Sequence, residues 1–294
     1  MLPRRIFIFL TLLLALLPQL HAQLQVDLRV PRRLYVAYEP IIVTVGITNL
    51  SGHDITLQDA DAQKWFSFQV TTTDERIVPP ADLNYQLSPL NIAAGQSVKR
   101  SVNLTTLYPV NEFGLYHLKA SIYFAETQKY ISSQSSSFEV TDGKMVWHQT
   151  VGVPQGVEGE GTYRNISLLT YHGEKYNMLY IRVEDREHGV VYVTNALGRL
   201  LLSQDPQVVL DRANRIHVLH LCAANTYTYS RIGLNGEWLG QSTYNVVKAR
   251  PALKKLPDGS VAVAGGKLDV PANPAPGAPA PPKLSDRPPG LPKG

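Results

Sequence analysis

Glu39-Pro40-Ile41-Ile42-Val43-Thr44-Val45-Gly46-Ile47-Thr48-Asn49-Leu50-Ser51-Gly52 is the stretch that decides the fold. Ile41, Val43, Val45 and Ile47 take alternate positions, Ile42, Thr44 and Gly46 lie between them, and Asn49 to Gly52 supply turn residues before Ile55-Thr56-Leu57 resumes. A period of two places one set of side chains on a single sheet face, so the stretch reads as strand, turn, strand. Downstream, Phe66, Phe68 and Val70 share a face, Val98, Val102 and Leu104 suggest another strand, and Tyr116, Leu118, Ala120, Ile122 and Phe124 alternate over nine residues. No segment shows a helical apolar period of comparable length. Half-buried strands need a second sheet over their apolar face, so residues 23–142 are expected to form an antiparallel β-sandwich.

The same residues resemble the bacterial extracellular immunoglobulin-like domains. Glu39 to Asn49 is similar to their second-strand signature, and Ala94-Gly95-Gln96 and Phe113-Gly114-Leu115-Tyr116 match later landmarks. Gly-x-Tyr is reminiscent of the tyrosine corner, whose phenol bonds back to nearby backbone. Leu118 stands where an antibody-type domain carries its second cysteine. The resemblance implies an immunoglobulin-like sandwich and leaves function open, because such domains serve as spacers, adhesins, inhibitors and enzyme accessories.

Residues 143–250 are read as a second compact antiparallel β domain, with the join placed near 141–160. Strand-like runs recur at Ile166–Tyr171, Met178–Val183, Val190–Thr194, Arg199–Leu202, Gln207–Leu210, Ile216–Leu221, Thr226–Ile232 and Trp238–Tyr244. Gly173, His188-Gly189, Gly198, Asp205-Pro206, Asn214, Asn225 and Asn235-Gly236 punctuate them as hairpin signals. Leu197-Gly198-Arg199, Asn235-Gly236-Glu237 and Asp258-Gly259-Ser260 form a weak repeat of uneven period. Asp211 to Leu219, Tyr227-Thr228-Tyr229-Ser230 and Gly236-Glu237-Trp238 are similar to sialidase-type propeller blades. A propeller needs about four blades of roughly 40 residues. The expectation is therefore a compact sheet or sandwich with blade-like hairpins, or an incomplete propeller.

The two ends differ from the body. Met1 to Arg5 is short and basic, Ile6 to Leu17 is an apolar run broken by Thr11, and Pro18 to Ala22 closes it, the layout of a secretory signal peptide cleaved after Ala22. The twelve residues from Ile6 to Leu17 span about 18 Å as a helix, short of a roughly 30 Å hydrocarbon core, so membrane contact is expected only in transit. Arg4-Arg5-Ile6-Phe7-Ile8 also resembles the twin-arginine export motif. Residues 251–294 hold eleven of the 21 prolines and are expected to form a solvated, disordered Pro-rich tail. Of the formal +4, the leader carries +2 and residues 251–294 carry +3, which leaves residues 23–250 at −1. Such a body offers no basic groove, and nucleic acid is not an expected partner.

No Gly-x-Ser-x-Gly, His-Glu-x-x-His, phosphate-loop or dinucleotide glycine motif occurs. Cys222 is the only cysteine, so no intramolecular disulfide forms. In His217-Val218-Leu219-His220-Leu221-Cys222 the alternation turns His217 away from His220 and Cys222, and two ligands make no structural zinc site; no metal and no cofactor are expected. Glu184-Asp185-Arg186-Glu187-His188 is the densest charged cluster, read as a solvated hairpin loop or as the acid/base group of a hydrolase. Asp59-Ala60-Asp61 falls short of a cation loop. No catalytic residue is assigned. The ligand-binding candidates are Tyr227, Tyr229 and Trp238, flat apolar faces beside Asn225 and Asn235, with core residues of a β domain as the alternative reading. Asn49, Asn103 and Asn165 stand in Asn-x-Ser/Thr sequons.

The sequence thus points to a secreted or periplasmic, non-enzymatic binding or structural protein whose partner is a protein or glycan of the cell envelope. The alternatives are a secreted, glycan-acting hydrolase and a proteinase-inhibitor-like module acting through a loop such as 71–89.

Overall fold

The computed structural model describes residues 23–60, 62–173 and 175–269. The expected signal segment and the Pro-rich stretch beyond Asp269 lie outside the described residues. The chain is nearly all β. Its first eleven strands are β1 Leu24–Arg29, β2 Leu34–Val36, β3 Ile42–Asn49, β4 Ile55–Leu57, β5 Phe66–Thr72, β6 Ile77–Val78, β7 Leu90–Ile92, β8 Ser97–Asn103, β9 Gly114–Phe124, β10 Lys129–Ser132 and β11 Ser136–Thr141. β1-β3-β8 form one sheet, β2-β11-β9-β5-β6 the other, with β10 on β9 and a β4-β7 ribbon alongside. The pairings are antiparallel except β2 with β11, which run parallel.

The alternation in the sequence is the alternation of burial. Val43, Val45 and Ile47 of β3 and Leu118, Ala120 and Ile122 of β9 are fully buried and meet in one core with Trp65, Phe66, Phe68, Tyr108 and Phe138. Tyr116 stacks on Phe138 at 5.4 Å, and its phenol donates to the Glu112 carbonyl at 2.9 Å. That is the backbone contact expected of Gly-x-Tyr. Asn49 is also interior: its amide donates to the carbonyls of His53 and Ile92, so this sequon is committed to the fold.

Asp142-Gly143 alone separates β11 from the second set of strands. These are β12 Lys144–Gly152, β13 Tyr163–His172, β14 Asn177–Asp185, β15 Val190–Leu200, β16 Gln207–Leu210, β17 Ile216–Ala223, β18 Thr226–Ile232, β19 Trp238–Asn245, β20 Ala252–Lys255, β21 Val261–Ala264 and β22 Lys267–Asp269. β12-β13-β14-β15 form one meander, β16-β17-β18-β19-β22 a second, and β20-β21 a ribbon. Ile166, Leu168, Leu179, Ile181 and Val183 of the first meander pack against Ile216, Val218 and Ile232 of the second. Successive small sheets stacked in this way are propeller-like in arrangement, without a closed ring among the described residues.

Three details differ from the sequence reading. Ordered strands continue past residue 250, because Leu253 and Val263 of the ribbon cover Leu219, Tyr227 and Tyr229 on the second meander. Residues 251–269 therefore belong to the folded body and not to a solvated tail. Gly198 is no hairpin turn but an irregular point within β15, at φ 119°, where the register to β14 shifts. The repeated turns are instead Asn214, Gly236 and Gly259, each at positive φ and each inside a five-residue loop closed by Asp211 N to Arg215 O, Gly233 N to Glu237 O and Leu256 N to Ser260 O. These left-handed positions explain why Asn or Gly occupies them.

The central strands β13 and β14 of the first meander are covered on both faces. Their outer face meets the first sandwich through Val36, Leu169 and Tyr180, with Tyr171 and Met178 beside them. Arg182 crosses this seam: its guanidinium donates to the Ala37 carbonyl at 2.9 Å and to Thr194 Oγ1 at 3.1 Å and lies 3.3 Å from Asp142. Arg32 adds bonds to Tyr180 and to the buried Glu39 carboxylate. Burial pushes the Glu39 carboxyl above its ordinary value, against the opposing pull of Arg32. Removing a charged donor from a buried carbonyl costs about 2 to 3 kcal/mol. Arg182→Ala is expected to lower stability by that amount in urea unfolding, and an unchanged midpoint would refute the role given to this side chain.

Candidate functional site

Tyr227 and Tyr229 share the outer face of β18, as their spacing predicts, but both are buried beneath the β20-β21 ribbon. The Tyr227 phenol donates to Gln204 Oε1 at 2.6 Å. Trp238 packs on the opposite face, against the core between the two meanders. The three aromatics therefore form no common groove. Of the two readings of Tyr227 and Tyr229, ligand face or core, the structure gives the core, and the cover comes from Leu253 and Val263 of the ribbon.

Beneath the same ribbon lies a chain of polar groups that the sequence reading passed over as a unit. Asp211 follows β16, and its Oδ1 accepts the backbone N–H groups of Ala213 and Arg215, which closes the turn. Its Oδ2 accepts from Arg215 Nε at 2.6 Å and lies 3.2 Å from His217 Nε2, while His217 Nδ1 meets the Tyr229 hydroxyl at 2.6 Å. Burial pushes the Asp211 carboxyl up, but the Arg215 bonds and His217 outweigh it and hold the group below its ordinary range. Burial likewise keeps His217 below its usual value, against the attraction of Asp211. The Asp211 spacing before Arg215 and His217 was the available signal. With Asp211, His217 and Tyr229 buried and Arg215 reaching solvent, the relay fixes a turn and a strand face.

The charged cluster sits at the β14-β15 hairpin, where Arg186, Glu187 and His188 are exposed as a loop reading expects and Asp185 is the exception. Asp185 is buried and accepts the His188 backbone N–H at 3.1 Å, with the His188 ring Nδ1 at 2.9 Å. Arg164, only 1% exposed, approaches the same carboxylate at 3.6 Å. Arg164 also donates to Thr162 Oγ1, Asn235 Oδ1 and the carbonyls of Tyr163 and Glu158, and its guanidinium lies 4.2 Å from the centre of the Tyr192 ring. One side chain thus fastens loop 153–162, the β14-β15 turn and the β18-β19 turn. Burial pushes Asp185 up, and the His188 bonds and Arg164 reverse this to a lowered value. Glu184 turns to Arg186 at 2.7 Å and Glu187 is exposed, so the acids do not converge. What the tip offers is one oriented, exposed imidazole at His188, bonded to Asp185, while the half-exposed Tyr192 ring of β15 packs on Arg164, which reaches the same carboxylate.

No group of three or more His, Cys, Asp or Glu among the described residues is placed to hold a metal ion. Cys222 donates its thiol to the Thr226 carbonyl. The 71–89 segment is tied down by Tyr85, whose phenol donates to the Phe66 carbonyl at 2.6 Å, with Ile77 and Leu83 exposed.

His220 is 1% exposed, and among the described residues neither of its ring nitrogens finds a well-formed hydrogen bond. Burial lowers its pKa to about 4, opposed only by the backbone of Arg199. The folded value lies below the unfolded one, so the unfolded chain binds the proton first. Stability from this site is complete above the ordinary histidine value and is lost as pH falls toward 4. His220→Leu is expected to be at least as stable as wild type at pH 7 and to lose less stability on acidification. The difference between the two unfolding curves should grow by up to about 3 kcal/mol between those limits. Parallel pH profiles would refute this.

No family model matches the chain, and no curated protein does. Among solved structures, the sporulation control protein Spo0M from Bacillus subtilis aligns with 58% of this chain and 83% of its own, at 11% identity and a TM-score of 0.28. A likeness at that level assigns no function.

Proposed function

We propose that the protein is an exported, non-enzymatic binding or structural component of the cell envelope, built from an immunoglobulin-like sandwich and a second β unit that presents fixed loops. One observation carries this reading: Arg164 and Asp185, the most buried charges at the loop end of the second unit, are bonded to loop backbone and turn residues. Charges used in this way hold a rim in place for contact, and rigid loops on a β scaffold are a common form of recognition surface. The Tyr116 to Glu112 bond and the two facing sheets support the immunoglobulin-like part. The apolar leader ending at Ala22 supports export, with a protein or glycan of the envelope as partner.

Two measurements test the reading. Fractionation with mass spectrometry of the N-terminus is expected to find the chain outside the cytoplasm and starting at Gln23; a cytoplasmic chain that keeps residues 1–22 would refute export. The mature protein, immobilised and probed with purified envelope glycans and envelope proteins, is expected to bind saturably. His188→Ala and Tyr192→Ala should each weaken that binding by about tenfold, or roughly 1.4 kcal/mol, with the chain still folded at the assay temperature although the Asp185 and Arg164 contacts they remove lower its unfolding midpoint. Sustained hydrolytic turnover of any of these glycans by the purified chain would overturn the non-enzymatic reading.

A further inference from the structure

We infer that β12 is a dimerisation edge, through which two copies of the chain join their first meanders into one continuous antiparallel sheet. Among the described residues β12 ends its sheet, pairing only with β13, and seven of its nine residues are exposed. An unpaired edge of this length invites another strand, and folded proteins guard such edges with charge, irregularity, brevity or cover. The other long edges here carry such guards. β15 is broken by two register shifts, β1 exposes Asp27 and Arg29, and β8 carries Lys99 and Arg100. β16 and β22 are four and three residues long, and β22 bears Lys267 and Asp269. β12 has a register shift between Met145 and Trp147, after which Trp147-His148-Gln149-Thr150-Val151-Gly152 runs in regular register with no proline, lysine, arginine or acid.

The side chains of this run complement themselves. Trp147, Gln149 and Val151 sit opposite Leu168, Ile166 and Arg164 on the face toward the second meander, and Trp147 and Val151 already pack there half-buried. An antiparallel pairing about a two-fold axis through Gln149 keeps each face with its like. It sets Trp147 of each copy against Val151 of the other, Gln149 against Gln149, and His148 against Thr150. Aromatic with β-branched is a favourable cross-strand pair, and no like formal charges fall opposite each other. The same register brings Val146, 44% exposed, beside the second copy's Gly152, whose neighbour across the sheet is Tyr163, 57% exposed. Glycine leaves room there for the two apolar side chains to meet. An isologous edge contact of this kind is small beside a standard interface, which places its dissociation constant in about the micromolar range.

The test is sedimentation velocity of the mature full chain across about 1 to 100 micromolar, with reductant present so that Cys222 cannot bridge copies. Wild type is expected to pass from one to two chains over this range. Gln149→Lys and Gln149→Glu each set like charges on the axis and should stay monomeric, with at least about tenfold weaker association. An equimolar mixture of the two variants should recover the dimer, a rescue that a folding defect cannot give. Three results would overturn the proposal: a wild-type chain monomeric throughout, which leaves the edge to an extended segment of another protein; variants that dimerise like wild type; or a mixture that fails to associate.

Discussion

The structure depends on one constraint: the central strands β13 and β14 of the first meander have to be buried on both faces. They place Ile166, Leu168, Ile181 and Val183 toward the second meander and Leu169 and Tyr180 toward the first sandwich. Each large apolar side chain taken out of water contributes about 1.5 to 3 kcal/mol, so exposing either face would forfeit several such contributions. The near-continuous apolar runs of β13 and β14 follow from this double cover, as they do in sheets buried on both sides. The tight Asp142-Gly143 join follows too, since a side chain at Gly143 would meet Leu169 Cβ at 2.8 Å.

Polar groups inside this stack are used as fasteners. Arg182 satisfies the Ala37 carbonyl at the seam, Arg164 gathers three loops at one end, and Asp211 closes a turn while orienting His217 and Tyr229. Each meets the rule that a buried charge needs several partners to offset its desolvation. His220 lies outside that pattern, a buried imidazole without well-formed partners among the described residues, and it makes the inter-meander core sensitive to acid.

Much of the architecture was legible where period two is strong. The alternation in 41–47 and 116–124 names the buried residues one by one, and the runs at 166–171, 178–183 and 226–232 fall within observed strands. What the sequence did not disclose depended on nonlocal cover. Tyrosine suits a core and a binding face equally, so Tyr227 and Tyr229 could be placed only once the ribbon at 252–264 was seen above them. That ribbon was itself hidden among lysines and prolines. Gly198 and Gly236 look alike in sequence, yet one bends a strand and the other turns a hairpin. Arg164 carried no local mark beyond nearby Gly156, Gly159 and Gly161; a side chain at Gly159 would run into its guanidinium.

The most direct measurement follows from where the three tryptophans sit. Trp65 lies in the core of the first sandwich, and Trp147 and Trp238 border the core between the meanders. If the doubly covered strands tie the two units together, urea unfolding followed through Trp65 alone and through Trp147 and Trp238 alone, in variants with the other tryptophans replaced by phenylalanine, gives coincident transitions that also match the loss of β-sheet circular dichroism. Two separated transitions, with the second unit keeping its midpoint after the first has unfolded, would contradict the account.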